Sequence, residues 1–184
     1  MPATSASRDQ IAERIAAVFI QRGYEGATLA QLSQATGLGR ASLYHHFPGG
    51  KAEMAADLLR RCATELQHRA FRHLSRKQKP ERRLARFIDG FVDYCQDGTR
   101  ACLIAVLAQG SATEAHGEAI ARQYGDWLGD LIRTFEAIGM KPKRARREAE
   151  RLMSELYGAL LMSQILADPG VFTRTVKRLH KSWP

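Results

Sequence analysis

A chain of 184 residues with 45% hydrophobic content is long enough to bury a sizeable core and too apolar to be a disordered chain. Its 28 basic and 19 acidic residues give a net charge of +9, which favours an anionic partner, nucleic acid before membrane. Three cysteines, Cys62, Cys95 and Cys102, are an odd number without metal-type spacing, suit a reducing cytosol and read as small apolar packing residues.

Residues 1–7 are small and polar, lack the apolar core of a signal peptide and carry no basic residue before Arg8; they read as a disordered arm. A first helix is predicted from Ser7 or Arg8 to Arg22. Ile11, Ile15, Ala16, Val18 and Phe19 form its apolar stripe, and Gly23 ends it. Tyr24 is expected to pack over the small core that follows. Thr28 can cap a second helix, because its hydroxyl can accept a backbone N–H of the first turn. Leu29, Leu32 and Ala35 recur near helical spacing and mark its buried face. Gly37 should stop that helix, since glycine tolerates a left-handed turn that a Cβ resists. Leu38 is an apolar plug. A third short helix is predicted from about Arg40 to Phe47, with Leu43 and Phe47 inward, ended by Pro48-Gly49-Gly50.

Two short helices crossing through a glycine turn make a helix-turn-helix, whose second helix can enter a DNA major groove. Arg40, at the start of that helix, can donate two hydrogen bonds to guanine, worth roughly 1–3 kcal/mol of discrimination. Ser42, Tyr44 and His46 can donate to phosphates or, in part, to bases, and Lys51 can pair with a phosphate. The competing reading is an ordinary helical corner that meets no nucleic acid.

Lys51 opens a long amphipathic helix predicted to reach Leu74, with Met54, Leu58, Leu59, Cys62, Leu66 and Phe71 on its inner face. Ser75 to Pro80 is a polar, basic turn. Pro80 to Gln96 carries Leu84, Phe87, Ile88, Phe91, Val92 and Cys95 inward. Cys102 to Gln109 is a nearly unbroken apolar run, as expected of a buried helix. Glu114 to Ile138 places Ile120, Tyr124, Trp127, Leu128, Leu131, Ile132 and Phe135 at helical spacing, and Gly139 stops it. Lys141 to Ala167 is a long helix with Pro142 in its first turn, and Val171 to about Ser182 is the last. No strand alternation is found, and no run reaches membrane-spanning length. The expectation is an all-α chain of about nine helices, divided into 1–50 and 51–184.

The excess charge does not sit on the helix-turn-helix. Residues 1–50 carry four arginines against three carboxylates, a net of +1, whereas residues 69–86 carry eight basic residues against Glu81 alone, a net of +7. One reading of that stretch is a solvated helix end and loop. The other is a field that attracts DNA without specific contacts. Catalytic motifs are missing: there is no GxSxG, P-loop, HExxH or CxxC, and no histidine sits in a metal-like pair with a carboxylate. No catalytic residue, metal site or cofactor is expected.

The segment Arg8 to Lys51 resembles the DNA-binding domain of the TetR family of bacterial transcriptional repressors. Ile11, Ala12, Ala16, Phe19, Gly23, Tyr24, Thr28, Leu32, Ala35, Gly37, Leu38, Ser42, Leu43, Tyr44, His46, Phe47 and Lys51 carry the resemblance. The run Leu43-Tyr44-x-His46-Phe47 is its most specific part, and Pro48-Gly49-Gly50-Lys51 is similar to the YxaF/LmrA-type branch. The resemblance implies DNA contacts at Thr28, Arg40, Ala41, Ser42, Tyr44, His45, His46 and Lys51. It implies an N-terminal three-helix DNA-binding domain followed by a helical ligand-binding and dimerisation domain. The cavity wall would draw on Phe87, Phe91, Tyr94, Cys102, Leu107, Tyr124, Trp127 and Leu131, with Gln109, Ser163 and Gln164 as polar groups. Such a wall suits a hydrophobic or aromatic small-molecule effector. The last two helices would form a four-helix bundle across a two-fold axis, through Leu152, Leu156, Tyr157, Leu160, Leu161 and Ile165. The function so implied is a ligand-responsive repressor, in the bacterial cytoplasm at the nucleoid, bound as a homodimer to a palindromic double-stranded DNA operator. Its half-sites would lie roughly 34–36 Å apart, or a multiple of that. The alternative is a helical ligand-binding or scaffold protein that does not read DNA.

Overall fold

The computed structural model describes residues 7–107 and 111–183, with backbone alone for 111–116. The predicted disordered arm before Ser7, and Gln109, lie outside the described residues. Among the described residues there are nine α-helices and no strand, so the chain is all-α. None of the helices described is long and apolar enough to cross a membrane. The chain forms two compact units, Met1–Cys62 with Leu103–Ile120, and Ala63–Cys102 with Ala121–Pro184.

In the first unit, α1 (Arg8–Gly26) starts in a capping box. Ser7 Oγ accepts the Gln10 N–H at 3.2 Å, and Gln10 Oε1 accepts the Ser7 N–H at 2.9 Å. Ile11, Ala12, Ile15 and Phe19 are buried. The helical span outlasts its predicted end at Arg22, but Gly23 interrupts it at φ 70° and ψ 175°. Tyr24 stacks on Phe19 with ring centroids 5.8 Å apart. A second capping box starts α2 (Leu29–Thr36), where Thr28 Oγ1 accepts the Gln31 N–H and Gln31 Oε1 accepts the Thr28 N–H. Leu32 and Thr36 are its buried residues; Leu29 is half-buried and Ala35 faces solvent. The inward row is thus i, i+4, and a threonine holds the place expected of Ala35. Thr36 satisfies its buried hydroxyl by donating to the Leu32 carbonyl at 2.7 Å. At φ 73° Gly37 makes the left-handed cap, its N–H donating to the Ser33 carbonyl at 3.0 Å.

The third helix, α3 (Arg40–His46), buries Leu43, and Phe47 follows it into the core. The next helix, α4 (Gly50–Arg69), opens in this unit. A short α6 (Leu103–Leu107) packs on α1 with Leu103, Ile104 and Leu107 buried. The α1 start is tied to α4 by charge. Asp57, only 7% exposed, accepts from Arg60 at 3.0 Å and Arg61 at 2.7 Å, with Arg8 at 3.7 Å.

The second unit holds the end of α4, α5 (Pro80–Tyr94), most of α7 (Ser111–Ala137), α8 (Pro142–Ile165) and α9 (Gly170–Ser182). The predicted helix to Leu74 stops at Arg69, and Phe71–His73 forms a separate 3-10 turn. The break turns Phe71 into the core, where its ring lies parallel to Trp127 at 4.4 Å. At the same place α5 passes very close. A Cβ on Gly90 would stand 1.9 Å from the Arg69 carbonyl oxygen, so the approach demands glycine. Helices α8 and α9 pack together; Ser163 Oγ donates to the Ala159 carbonyl and accepts the Phe172 N–H. Arg100 forms a two-armed pair with Glu65, at 2.9 and 2.8 Å.

Candidate nucleic-acid interface

The turn between α2 and α3 is locked from three sides. Ser33 Oγ donates to the Leu38 carbonyl. Thr36 Oγ1 accepts the Leu38 N–H at 3.4 Å. Arg14, on α1, donates to the Thr36 carbonyl at 2.9 Å, placing a cation at the C-terminal end of α2 where the helix dipole favours one. With Leu43 and Phe47 buried, α3 can turn only one face outward. That face carries Arg40, Ala41, Ser42, Tyr44 and His45, all exposed, with His46 half-buried at its edge. Every one of these side chains but Ala41 can donate to a phosphate or a base edge.

Beside α3 lies a cleft of about 520 Å³ lined by Glu25, Ala27, Thr28, Leu29, Tyr44, Pro48, Gly49, Gly50 and Lys51. It brings together three predicted contact residues from separate elements: Thr28 at the α2 cap, Tyr44 on α3 and Lys51 on α4. Two are already engaged. The Thr28 hydroxyl accepts from Gln31, and Lys51 Nζ donates to the Tyr24 carbonyl at 2.9 Å while lying 4.5 Å above the Tyr24 ring. The Lys51 ammonium keeps further donors for a phosphate, but it is a half-buried, anchored group rather than a swinging side chain. Burial, then the Glu25 charge, raises the Tyr24 phenol.

Sequence reasoning missed the support behind this face. Arg14 reaches a carbonyl 22 positions along the chain, and Asp57, beyond its own-helix partners Arg60 and Arg61, faces Arg8 at the start of α1; no local pattern marks these two long-range links. Burial alone would raise the Asp57 carboxyl. Hydrogen bonds from Arg61 and Arg60 and the charges of Arg61 and Arg8 outweigh it and hold that carboxyl below its ordinary value.

The residues proposed for an effector wall fall into two places. In the second unit, Trp127 meets Phe71 and Tyr124, Phe71 meets Phe87, and Phe87 meets Phe91, with centroids 4.4–6.3 Å apart. Leu131 is buried in this unit, as are Tyr94, under the Arg100 guanidinium, and Cys102. Leu107 is buried in α6 of the first unit. Two polar links join the cluster: Trp127 Nε1–H donates to Gln67 Oε1 at 2.7 Å, and the Tyr124 and Tyr157 hydroxyls bond at 2.8 Å. Burial raises the Tyr157 phenol, and Tyr124, Cys102 and Tyr94 add to the shift. Gln67, Phe71 and Tyr157 were not foreseen here. Ser163 is occupied by backbone, and Gln164 donates to the Arg100 carbonyl at 3.0 Å.

The stripe assigned to a dimer interface also divides. Leu152, Leu156 and Leu160 are at most 1% exposed within one protomer, and Tyr157 joins the aromatic cluster through Phe91 at 5.2 Å. Those four serve the protomer's own core. Leu161 and Ile165 face outward at 56% and 65% exposure, joined by Met162 and Leu166. A leucine stripe wider than one neighbour is here the sum of a core row and a surface row.

The first unit thus contains a helix-turn-helix, on an all-α chain. Residues 10–58 match the family of bacterial regulatory proteins, tetR family. The HTH-type transcriptional regulator LmrA of Bacillus subtilis is 22% identical over 161 residues, covering 85% of this chain and 86% of LmrA. The crystal structure of a TetR family transcriptional regulator from Agrobacterium tumefaciens has a TM-score of 0.77, with 22% identity over 95% of this chain and 96% of that one. A cysteine mutant of the TetR family transcriptional regulator CifR, complexed with 26bp double-strand operator DNA, has a TM-score of 0.76, with 22% identity over 99% of this chain and 100% of that one. Over residues 10–58 the chain therefore carries the signature of the TetR family of bacterial regulatory proteins, and its similarity to LmrA extends past the helix-turn-helix.

Proposed function

We propose that the protein is a ligand-responsive repressor that binds a palindromic DNA operator as a homodimer. The observation that carries this reading is the outward face of α3, a row of donors held rigid by the buried pair Leu43 and Phe47. Arg40 would read guanine; Ser42, Tyr44, His45, His46, Thr28 and Lys51 would hold phosphates, and Ala41 would let the helix approach closely. The operator DNA bound to CifR supports the same use of this fold. Residues 1–50 would form the reading head, and 51–184 would sense and dimerise.

The exposed row Leu161, Met162, Ile165 and Leu166 supports a two-fold partner, because large apolar side chains gathered on one helix end gain from being covered. A hydrophobic or aromatic effector would act among the rings around Phe91, Tyr124 and Trp127. To release DNA it must bind better to the state that does not fit the operator, or it shifts nothing. Footprinting the DNA that flanks the gene, against random competitor, tests the reading: protection of a palindrome is expected. A folded dimer that protects no sequence there, or among sites selected from random DNA, would leave a helical ligand-binding protein instead.

A further inference from the structure

Resting on the DNA-binding reading above, we propose that the basic segment from Arg72 to Arg86, in the second compact unit, is a docking surface for the phosphate backbone of duplex DNA. It would supply sequence-independent affinity that the near-neutral helix-turn-helix lacks.

The segment is built as an unneutralised array. Arg76, Lys77, Lys79, Arg82 and Arg86 are all exposed, and among the described residues none of them makes an ion pair. By contrast, Arg69, just before the segment, pairs with both Glu65 and Asp93. The array has a fixed frame. Arg83 donates to the Leu74 carbonyl at 2.9 Å, and Arg72 Nη1 is hydrogen-bonded to His68 at 2.9 Å. Both guanidiniums leave a buried Nε–H without a partner. Burial lowers the His73 pKa, and the charges of Arg72, Arg76 and Arg86 lower it further. Lys79 stands just before α5, and Arg82 and Arg86 follow on one face of its first turns, i and i+4.

Several features choose the partner. Like charges gathered on one short segment repel unless an anion lies among them, and guanidinium forks fit phosphate oxygens. The segment accounts for most of the net charge of +9, whereas residues 1–50 hold only +1. No large apolar side chain is exposed between Phe71 and Arg86, so the surface has nothing to insert into lipid. A long, regularly charged polymer meets these conditions, and duplex DNA is the one a helix-turn-helix regulator works on.

The test uses the full chain and a random-sequence duplex, with anisotropy titrations from low to moderate salt. The variant R76Q/K77Q/K79Q/R82Q/R86Q changes only exposed side chains and spares Arg72 and Arg83. Each phosphate contact contributes about 0.9 to the slope of log affinity against log salt. The variant should therefore lose at least about 2 units of slope, and bind random DNA at least about tenfold more weakly at low salt. The charge-keeping variant R76K/R82K/R86K should retain most of both. An unchanged slope in the glutamine variant overturns the proposal. So does binding of wild type to anionic vesicles but not to the duplex, which would make the partner a lipid surface. Random-DNA binding that the glutamine variant loses, without any operator footprint, would uphold the docking surface and sink the operator reading. A footprint with the slope unchanged would do the reverse.

Discussion

Lys51 and Tyr24, 27 positions apart, meet twice: the ammonium donates to the Tyr24 carbonyl and lies over its ring. The carbonyl is part-buried, so the bond fastens the first turn of α4 to the chain just past the Gly23 interruption of α1. Lys51 is consequently a stabilising residue of the first unit as well as a candidate phosphate contact. Lys51→Ala should lower the unfolding free energy by about 1–2 kcal/mol. In a chain this size that is a fall in Tm of several degrees. A variant with unaltered Tm and weakened DNA binding would confine Lys51 to the phosphate.

Arg40 is exposed on the first turn of α3 and supports no core contact. Arg40→Ala should leave Tm unchanged and lower the ratio of operator to random-DNA affinity by about tenfold or more, the worth of one two-armed guanine contact. Competition titrations with both DNAs measure that ratio. Equal losses on the two would assign Arg40 to phosphate.

The Asp57 carboxyl is held below its ordinary value in the folded state. The folded protein therefore binds this proton less readily than the unfolded chain does. Its contribution is complete above the unfolded carboxyl pKa, about 4, and is lost as pH falls through that value toward the folded one. Glu65 behaves likewise, chiefly through its hydrogen bonds from Arg100. Asp57→Asn should thus destabilise the protein near neutral pH and flatten the acid limb of a stability-against-pH curve. A parallel acid limb in the variant would show that other carboxylates set it.

Leu156 and Leu161 lie five residues apart on α8 and should fail differently. Leu156→Ala empties a fully buried site and should cost about 2–5 kcal/mol, with dimerisation affected only through folding. The pair Leu161→Asp and Ile165→Asp should leave the protomer folded and shift sedimentation toward monomer. A dimer that survives both aspartates places the interface elsewhere.

Gly90→Ala sets a methyl group 1.9 Å from the Arg69 carbonyl oxygen, a backbone atom that cannot swing aside. The α4 end and α5 must separate, at a cost of about 3 kcal/mol or more. Denaturant titration should show a lower midpoint. An unchanged midpoint would mean that the close crossing is not kept in solution.

What was legible in the sequence was mostly local. Thr28, Gly37 and the Leu43–Phe47 pair act within four residues of themselves, so the limits of α2 and α3 and the exposed face of α3 could be read before any contact was known. The end of α4 could not, because the residues after Arg69 continue a helical pattern. The crossing at Gly90 and the seat beside Trp127 decide that Phe71 turns inward. Leu152, Leu156, Leu160, Leu161 and Ile165 look alike in a periodic pattern, and only the position of α9 and the aromatic cluster sorts core from surface. Lys51 and Arg14 follow the same rule: each is a plain charged residue whose partner is brought near by folding.

The chain has two tryptophans, Trp127 and Trp183, and both belong to the second compact unit. Trp127 is sealed against Phe71 and bonded to Gln67, while Trp183 lies against Phe135 under the Arg151 guanidinium. The head contains no indole at all. Intrinsic fluorescence will therefore report on one half of the molecule: an occupant near Tyr124 changes the light from Trp127, while motion confined to α2 and α3 is dark.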